Sequence, residues 1–360
     1  MNGHETPMLL EEMGAPLVSV VLPVYNGDKY LAEAIESILA QTHSDLELIA
    51  INDGSTDESQ QILDKYTKLD SRVHVVSREN RGLVSTLNEA MGLARGAWIA
   101  RMDQDDIALP HRLERQLEWL EKTGADITGS WVRRFGTSDK RVIKLRETDA
   151  AIKMEMLFCS PFAHPSVMMR TTLAKQLRYD QSWEKAEDYD LWERAAEAGW
   201  KMANVPEVLL HYRIHAEQIS TRTSRQQQYV EQEIRRRYWR FVFNSMGLNR
   251  DGIDEVLKLF EAPLLAIDMN AVDASFVALL QHSQGESRRA ILDHVTRRYF
   301  TVAASCRNIV SRWGRLNREF GEGWGVITKS KLWVLRVLRI RADGNLFKQL
   351  KKLYVWSASR

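Results

Sequence analysis

Three carboxylates stand close together at the end of an apolar run. Asp103, Asp105 and Asp106 follow the segment Ala97 to Met102. Negative charges at this spacing repel one another unless a cation or hydrogen bonds compensate them. Mg²⁺ or Mn²⁺ takes oxygen ligands and keeps positions open for phosphate oxygens. The cluster therefore indicates a divalent-metal site for a phosphorylated substrate, although taken alone it also fits an acidic turn before a helix.

A second acidic pair, Glu187-Asp188, opens a segment with helical period. Carboxylates at a helix start commonly cap it, because they accept hydrogen bonds from its first N–H groups. A carboxylate within hydrogen-bond reach of a substrate hydroxyl can also act as a general base. The pair thus fits either a cap or a catalytic group.

The first 220 residues alternate short β-branched runs with segments of helical period, which predicts an α/β fold with a parallel sheet. Polar clusters at 23–26, 52–55 and 103–106 follow three of these runs, and ligands of such sheets bind beyond the carboxyl ends of the strands. Ser55 and Glu58 have capping-box spacing for the helix that continues through Tyr66. The predicted strands are Leu17–Leu22, Leu46–Ile51, Val73–Val76, Ala97–Met102, Ser166–Met169 and Val205–Leu210, and a helix is expected over Asp188–Ala198.

Four motifs in fixed order resemble the family 2 glycosyltransferases over about residues 17–220. They read PVYN at 23–26, NDGSTD at 52–57, ARMDQDDIALPHRLERQ at 100–116 and AEDYDLWERA at 186–195. The resemblance implies a GT-A fold, which is a Rossmann-like, mostly parallel twisted sheet flanked by helices. It also implies a hexosyltransferase that takes a nucleoside diphosphate sugar and inverts the configuration of the anomeric carbon.

The resemblance assigns the donor site residue by residue. Pro23, Tyr25 and Asn26 would surround the nucleotide base, and Asp53 would accept a hydrogen bond from it. Arg101 and Asp103 would also bind the nucleotide-sugar donor.

The resemblance also assigns the metal and the chemistry. Asp103 and Asp105 match the metal-binding aspartates, His215 could reach the metal, and Arg213 could pair with phosphate oxygens. Asp188 matches the general base, and Glu187 would contact the acceptor or orient the loop. Another position that recurs in the family is His164, for which no role is assigned.

Beyond residue 222 the chain becomes a series of arginine-rich helical patterns, including 226–243 and 287–313. We expect a flexible leader at 1–16, the catalytic domain at 17–222 and a helical, basic region at 223–360. The last thirty residues carry eight basic side chains against Asp343 alone. Apolar residues interleave with these basic residues, which predicts binding to an anionic membrane rather than a solvated helix face. They are Trp333, Leu335, Leu338, Ile340, Phe347, Leu350, Tyr354 and Trp356.

The whole chain has 50 basic and 48 acidic residues, so its net charge does not indicate nucleic acid, and no base-reading motif is present. Two distant cysteines, no secretory signal and no apolar run of about 20 residues favour a cytoplasmic protein, peripheral on the inner face of the membrane.

We therefore expect transfer of one sugar, with UDP as the nucleotide, to a saccharide or lipid-linked acceptor in surface polysaccharide or glycolipid synthesis. Processive members carry a QxxRW motif, but here Ile309 stands where Arg312-Trp313 would require glutamine. A nucleotidyltransferase should have a glycine-rich loop with lysine, which PVYNGDKY is not. The other alternative is a catalytically silent GT-A-like scaffold or membrane-interaction protein.

Overall fold

The computed structural model describes residues 17–215, 225–260, 266–321 and 325–340. The predicted leader at 1–16, the predicted domain boundary near 222 and the tail from residue 341 lie outside them. The chain forms two compact units. The first comprises the described residues within Met1–Leu145, Phe162–Leu191 and Trp200–Arg222, and the second those within Arg146–Pro161, Trp192–Gly199 and Thr223–Arg360.

The first unit is built on a mixed sheet of nine described strands in the order β3-β2-β1-β4-β8-β6-β9-β5, with β7 beside β6. Strands β3, β2, β1 and β4 are mutually parallel, as expected, whereas β8 pairs antiparallel with both β4 and β6. The strands are β1 (Val18–Val24), β2 (Leu46–Asp53), β3 (Val73–Arg78), β4 (Trp98–Arg101), β5 (Ile107–Ala108), β6 (Ile127–Phe135), β7 (Val142–Ile143), β8 (Met168–Arg170) and β9 (Met202–Arg213).

Helices cover this sheet because each has an apolar face at helical spacing. Leu31, Ile35 and Ile38 of α1 have helical spacing and are fully buried on one face of the helix. The helices with residues in the first unit are α1 (Asp28–Leu39), α2 (Ser59–Leu69), α3 (Leu83–Leu93), α4 (Arg112–Thr123), α6 (Thr171–Leu177) and the start of α7 (Glu187–Glu197), whereas α5 (Asp149–Glu155) belongs to the second unit.

The predicted capping box of α2 is wrong. The helix begins at Ser59, where the backbone N–H of Ser59 donates to Asp57 Oδ1 at 3.0 Å. Ser55 Oγ instead accepts from the backbone N–H of Asn26 at 3.0 Å. Because the hydroxyl is used by another loop, Ser55 joins two loops of the sheet edge rather than starting a helix. The strand expected at Ser166–Met169 also begins later, at Met168, after a 3₁₀ turn over His164–Ser166.

The second unit is helical throughout its described part. Phe158 lies at its centre, edge-on to Trp239 with ring centroids 5.8 Å apart and stacked on His294 at 4.4 Å. Trp239 is fully buried, and its Nε1–H donates to the backbone oxygen of Leu157 at 2.7 Å. Truncation of such a side chain typically costs about 3–5 kcal/mol of folding free energy. The further helices of this unit are α8 (Arg225–Ser245), α9 (Ile253–Lys258), α10 (Met269–Gln281), α11 (Gly285–Val302), α12 (Ile309–Phe320) and α13 (Gly325–Val337).

The single helical pattern read over 287–313 is in fact two helices, since α11 ends at Val302 and α12 starts at Ile309. None of the helices in the described ranges is long and apolar enough to cross a bilayer.

Candidate active site

The carboxyl ends of β1, β2 and β4 lie side by side because β1 pairs in parallel with both of its neighbours. Val24 at the end of β1 is in register with Asn52 of β2, and Val21 with Arg101 of β4. The polar clusters that follow these strands therefore meet at one edge of the sheet, as the sequence predicted.

The acidic cluster at this edge is compact. Oxygen atoms of Asp103, Asp105 and Asp106 all lie within 4.8 Å of one another. Burial, together with the charges of Asp103 and Asp105, raises the pKa of Asp106 well above its ordinary range. One oxygen of Asp106 accepts from the backbone N–H of Arg213 at 2.8 Å, while Oδ2 is buried without a hydrogen-bond partner among the described residues. The protein alone thus leaves the negative charge of the cluster incompletely compensated.

Two buried arginines stand beneath the acidic cluster. Arg101 is 4% exposed and pairs with Asp103, with Nη2 and Oδ1 2.6 Å apart. Burial disfavours the charge on Arg101, but the charges of Asp103 and Glu187 outweigh that effect and raise its pKa. Nε and Nη1 of Arg101 find no acceptor in the part of the chain that the structure describes. Arg112 supports this arrangement from below, since its Nη2 donates to the backbone oxygen of Arg101 at 2.6 Å.

The loop after β1 is fastened to the acidic loop by Gln104. The side-chain Oε1 of Gln104 accepts from the N–H of Tyr25 at 2.8 Å, and Nε2 donates to the oxygen of Tyr25 at 2.9 Å. A Cβ on Gly27 would lie 2.4 Å from the Gln104 side chain, so only glycine fits there without displacing the amide. The ring of Tyr25 is 50% exposed beside this contact.

The loop after β2 is held to the loop after β1 through Asn26, which has a left-handed backbone conformation with φ 48°. Asn26 Oδ1 accepts from the N–H of Thr56 at 2.8 Å. Because Asn tolerates this conformation better than most residues, its side chain can serve the turn and the contact together. Pro23 lies in β1 two residues before Tyr25.

Asp53 is buried at the end of β2 and holds the segment that follows β3. Its Oδ1 pairs with Arg78 and accepts from the N–H of Arg81 at 2.8 Å, and its Oδ2 accepts from the N–H of Gly82 at 3.0 Å. A carboxylate has about four acceptor positions, so roughly one of them is left for a ligand.

The acidic pair at the start of α7 lies near Arg101. Glu187 is 8% exposed, and burial together with the charge of Asp188 raises its pKa to about 7. Asp188 is half-buried. Burial raises the pKa of Tyr179 as well, and the charges of both carboxylates act on that phenol. Arg101 therefore pairs with Asp103, and its charge also acts on Glu187.

The charge of Arg101 also acts on His164 and Tyr179. His164 Nε2 lies 2.8 Å from the hydroxyl of Tyr179. Burial and the charge of Arg101 lower the pKa of His164 well below its ordinary value, so the imidazole is neutral at pH 7. The structure thus places His164, which had no assigned role, next to the catalytic candidates.

The end of β9 brings Arg213 and His215 to the acidic loop. His215 Nε2 lies 2.8 Å from Asp105 Oδ2. Arg213 Nε donates to the backbone oxygen of Asp105 at 2.7 Å, and Nη2 pairs with Glu33 at 2.6 Å. Its guanidinium also stacks 4.1 Å from the ring centroid of Tyr30.

Sequence reasoning missed the positions of Gln104, Tyr179 and Arg78. Gln104 lies between the aspartates of the acidic motif, and nothing in its local sequence signals a contact with a residue 79 positions away. Tyr179 and Arg78 stand outside the quoted motifs. Periodicity predicts which residues share one face of a helix. It does not predict these three residues, because they act through contacts between segments that meet at the sheet edge.

Known proteins resemble this chain in sequence. Residues 19–177 match the profile of the family described as Glycosyl transferase family 2. An uncharacterized glycosyltransferase of Haemophilus influenzae is 34% identical over 257 residues, which cover 67% of this chain and 79% of that protein. The O-antigen biosynthesis glycosyltransferase WbnJ of Escherichia coli is 36% identical over 204 residues, covering 55% of this chain and 80% of WbnJ.

The fold also has a counterpart among solved structures. The crystal structure of S. aureus TarS 1-349 in complex with UDP-GlcNAc matches with a TM-score of 0.54 over 92% of this chain and 91% of that chain, at 16% identity. At this identity the likeness concerns the fold, and it confirms the expected GT-A architecture with a helical C-terminal region. With a relative 34% identical over two thirds of both chains, the protein belongs to the family 2 glycosyltransferases and is a glycosyltransferase.

Proposed function

We propose that this protein transfers a single sugar, with inversion, from a UDP-sugar to a saccharide or lipid-linked acceptor in surface polysaccharide or glycolipid synthesis. The observation that carries the proposal is Arg101, a buried cation that pairs with Asp103 and whose charge also acts on Glu187. Nε and Nη1 of Arg101 have no acceptor among the described residues and call for an anionic or oxygen-rich ligand, because a buried donor without an acceptor costs about 1–3 kcal/mol. A nucleoside diphosphate sugar supplies such oxygens.

The nucleotide would lie over the joined loops after β1 and β2. The half-exposed ring of Tyr25 offers a face for the base, with Pro23 and Asn26 forming the surrounding loop. Asp53 would use its remaining acceptor position for an N–H of the base. The names of two proteins similar to this chain support UDP and a saccharide product, since TarS was crystallised with UDP-GlcNAc and WbnJ acts in O-antigen biosynthesis.

The residues at the acidic loop fit a divalent cation. Three carboxylates converge, the buried Oδ2 of Asp106 has no partner within the described ranges, and all the donors are oxygen or imidazole nitrogen. Asp103 and Asp105 would hold Mg²⁺ or Mn²⁺, with His215 in reach through its contact with Asp105. When bound, such an ion neutralises charge on a leaving diphosphate. Arg213 would complete this end of the site by fixing the backbone of Asp105 and facing the phosphates.

Asp188 would act as the general base. The acceptor hydroxyl oxygen forms a bond to the anomeric carbon while the bond from that carbon to the diphosphate oxygen breaks. The hydroxyl proton passes to the carboxylate of Asp188, and attack opposite the leaving group inverts the configuration. Glu187, whose pKa is raised to about 7 by burial and by Asp188, is partly protonated at neutral pH and can donate a hydrogen bond to the acceptor. The reaction would take place at the cytoplasmic face of the membrane, where nucleotide sugars are available.

Titration of nucleotides into the protein tests the donor class. We expect UDP to bind with Mn²⁺ or Mg²⁺ and to lose most of its affinity in EDTA, and GDP to bind at least about tenfold more weakly. Tighter binding of GDP would overturn the choice of UDP. Equal binding of UDP with and without EDTA would contradict the proposal that a divalent metal takes part in donor binding.

A further inference from the structure

A stripe of large apolar side chains is exposed at the end of the described helical unit. Trp333, Val334, Val337 and Leu338 are 58%, 36%, 53% and 62% exposed. They follow the spacing i, i+1, i+4, i+5, and the N–H of Leu338 donates to the oxygen of Val334 at 3.0 Å, so the helical turn continues through the set. These four residues, called here the α13 stripe, therefore lie on one face.

The opposite face of α13 packs inward. Leu332 and Leu335 are 0% and 3% exposed, and Ile340, which follows the end of the helix at Val337, is 6% exposed. The sequence prediction that Leu335 and Ile340 would contact lipid together with Trp333 is therefore wrong, because these two side chains belong to the core. The outward residues are a different set.

The exposure of the α13 stripe is concentrated. Of the nine large hydrophobic side chains that are exposed in the described ranges, four fall within 333–338. The others, such as Leu69 and Tyr229, are isolated along the sequence. Single exposed apolar residues are ordinary on soluble proteins, whereas a contiguous apolar patch marks a contact with a partner or a membrane.

The charge around the stripe has one sign. Lys329, Lys331, Arg336 and Arg339 flank it, and α13 carries no carboxylate. From residue 325 to residue 360 the sequence has nine basic residues and a single acidic one, Asp343. An apolar stripe with tryptophan, flanked along its own segment by cations, complements a surface that is apolar within and anionic outside, which is the chemistry of an anionic lipid bilayer.

We propose that the α13 stripe docks this protein on an anionic lipid surface, with the apolar side chains inserted at the headgroup level and the flanking cations on the lipid phosphates. The α13 stripe would then be the membrane contact that brings the enzyme to a lipid-linked acceptor. Only this link to the acceptor rests on the proposed function. Docking itself requires neither donor nor acceptor. Failure of docking and failure of transfer are therefore measured separately.

Vesicle co-flotation of the full chain tests the proposal. We expect binding to vesicles of phosphatidylcholine with 30% phosphatidylglycerol, and about tenfold weaker binding to pure phosphatidylcholine or in 0.5 M NaCl. Trp333→Gln/Val337→Gln/Leu338→Gln should reduce binding about tenfold. The matched control Leu69→Gln/Tyr229→Gln, which changes two side chains that are each 67% exposed, should bind as the unchanged protein does.

Circular dichroism and UDP titration on the same variants test whether the fold and the donor site are unaffected. A chain that ends at Ile340 separates the stripe from the tail. The proposal is supported if this truncated chain binds the vesicles and the triple substitution abolishes that binding. Binding that disappears on truncation but survives the triple substitution in the full chain would overturn it and assign the contact to residues 341–360. Absence of binding to either vesicle would also overturn it.

Discussion

The side-chain amide of Gln104 hydrogen-bonds to both backbone polar groups of Tyr25, joining the acidic loop to the loop after β1. The two loops carry the proposed metal ligands and the proposed base-binding ring. The Gln104 amide therefore helps to set the spacing of these two loops, together with the pairing of β1 and β4.

Gln104→Ala should weaken UDP binding about tenfold without unfolding the protein, because two hydrogen bonds of about 1 kcal/mol each are removed from a partly exposed site. Calorimetric titration with Mn²⁺ measures the change. Gln176→Ala, at an exposed position of α6, is the matched control. An unchanged dissociation constant in Gln104→Ala would show that the two loops keep their spacing without this amide.

Gly27→Ala should reproduce that effect. A methyl group at residue 27 would lie 2.4 Å from the Gln104 amide and would displace it. The double variant Gly27→Ala/Gln104→Ala should then bind UDP about as well as either single variant, since residues that act through one contact are not additive. Additive losses in the double-mutant cycle would mean that Gly27 acts independently of Gln104.

The raised pKa of Glu187 predicts a pH-dependent contribution to stability. Burial and Asp188 raise this pKa to about 7, and Arg101 opposes the shift. The folded state then holds a proton that the unfolded state releases near pH 4.5, so the free energy of unfolding falls as pH rises from about 4.5 to 7. The loss of stability is complete about one pH unit above the folded pKa, at roughly 3 kcal/mol.

Glu187→Gln removes this titration. Chemical denaturation at pH 5 and pH 8, without metal, should show a smaller loss of stability in Glu187→Gln than in the unchanged protein. Glu184→Gln, at an exposed position three residues earlier, is the control and should behave as the unchanged protein does. The same pH dependence in Glu187→Gln would mean that other carboxylates carry it.

His215→Ala tests whether the imidazole contributes to metal binding, either as a ligand or by orienting Asp105. We expect Mn²⁺ affinity, followed by electron paramagnetic resonance of the free ion, to fall about 10–100-fold. His211→Ala on β9 is the matched control, because that ring contacts Phe135 and no carboxylate of the cluster. An unchanged Mn²⁺ affinity in His215→Ala would remove His215 from the proposed ligand set.

The repeating elements were predictable because their signal is local. The apolar face of α1 and the buried run of β2 follow directly from periodicity and burial. The start of α2 could not be predicted in the same way. Ser55 is a residue type that caps helices well, but its hydroxyl oxygen accepts a hydrogen bond from the backbone N–H of Asn26 instead. This contact forms only when the two loops meet.

The same division holds for the site. The acidic cluster is visible as three nearby residues, and Glu187-Asp188 as an adjacent pair. The interaction of Arg101 with both Asp103 and Glu187 joins residues that lie more than 80 positions apart, which no local pattern specifies. Likewise, interleaved apolar and basic residues at the chain end indicated an amphipathic helix, but only packing decides that Leu335 faces inward and Val337 outward.

The most direct test of the mechanism is Asp188→Asn, measured in two ways on one preparation. UDP binding with Mn²⁺ should stay within about threefold of the unchanged protein, while turnover of the UDP-sugar, followed as UDP release with acceptor present, should fall by at least about 10²-fold, because the base acts in the transition state. Turnover within a few-fold of the unchanged protein, or a loss of UDP binding as large as the loss of turnover, would contradict the assignment of Asp188 as general base.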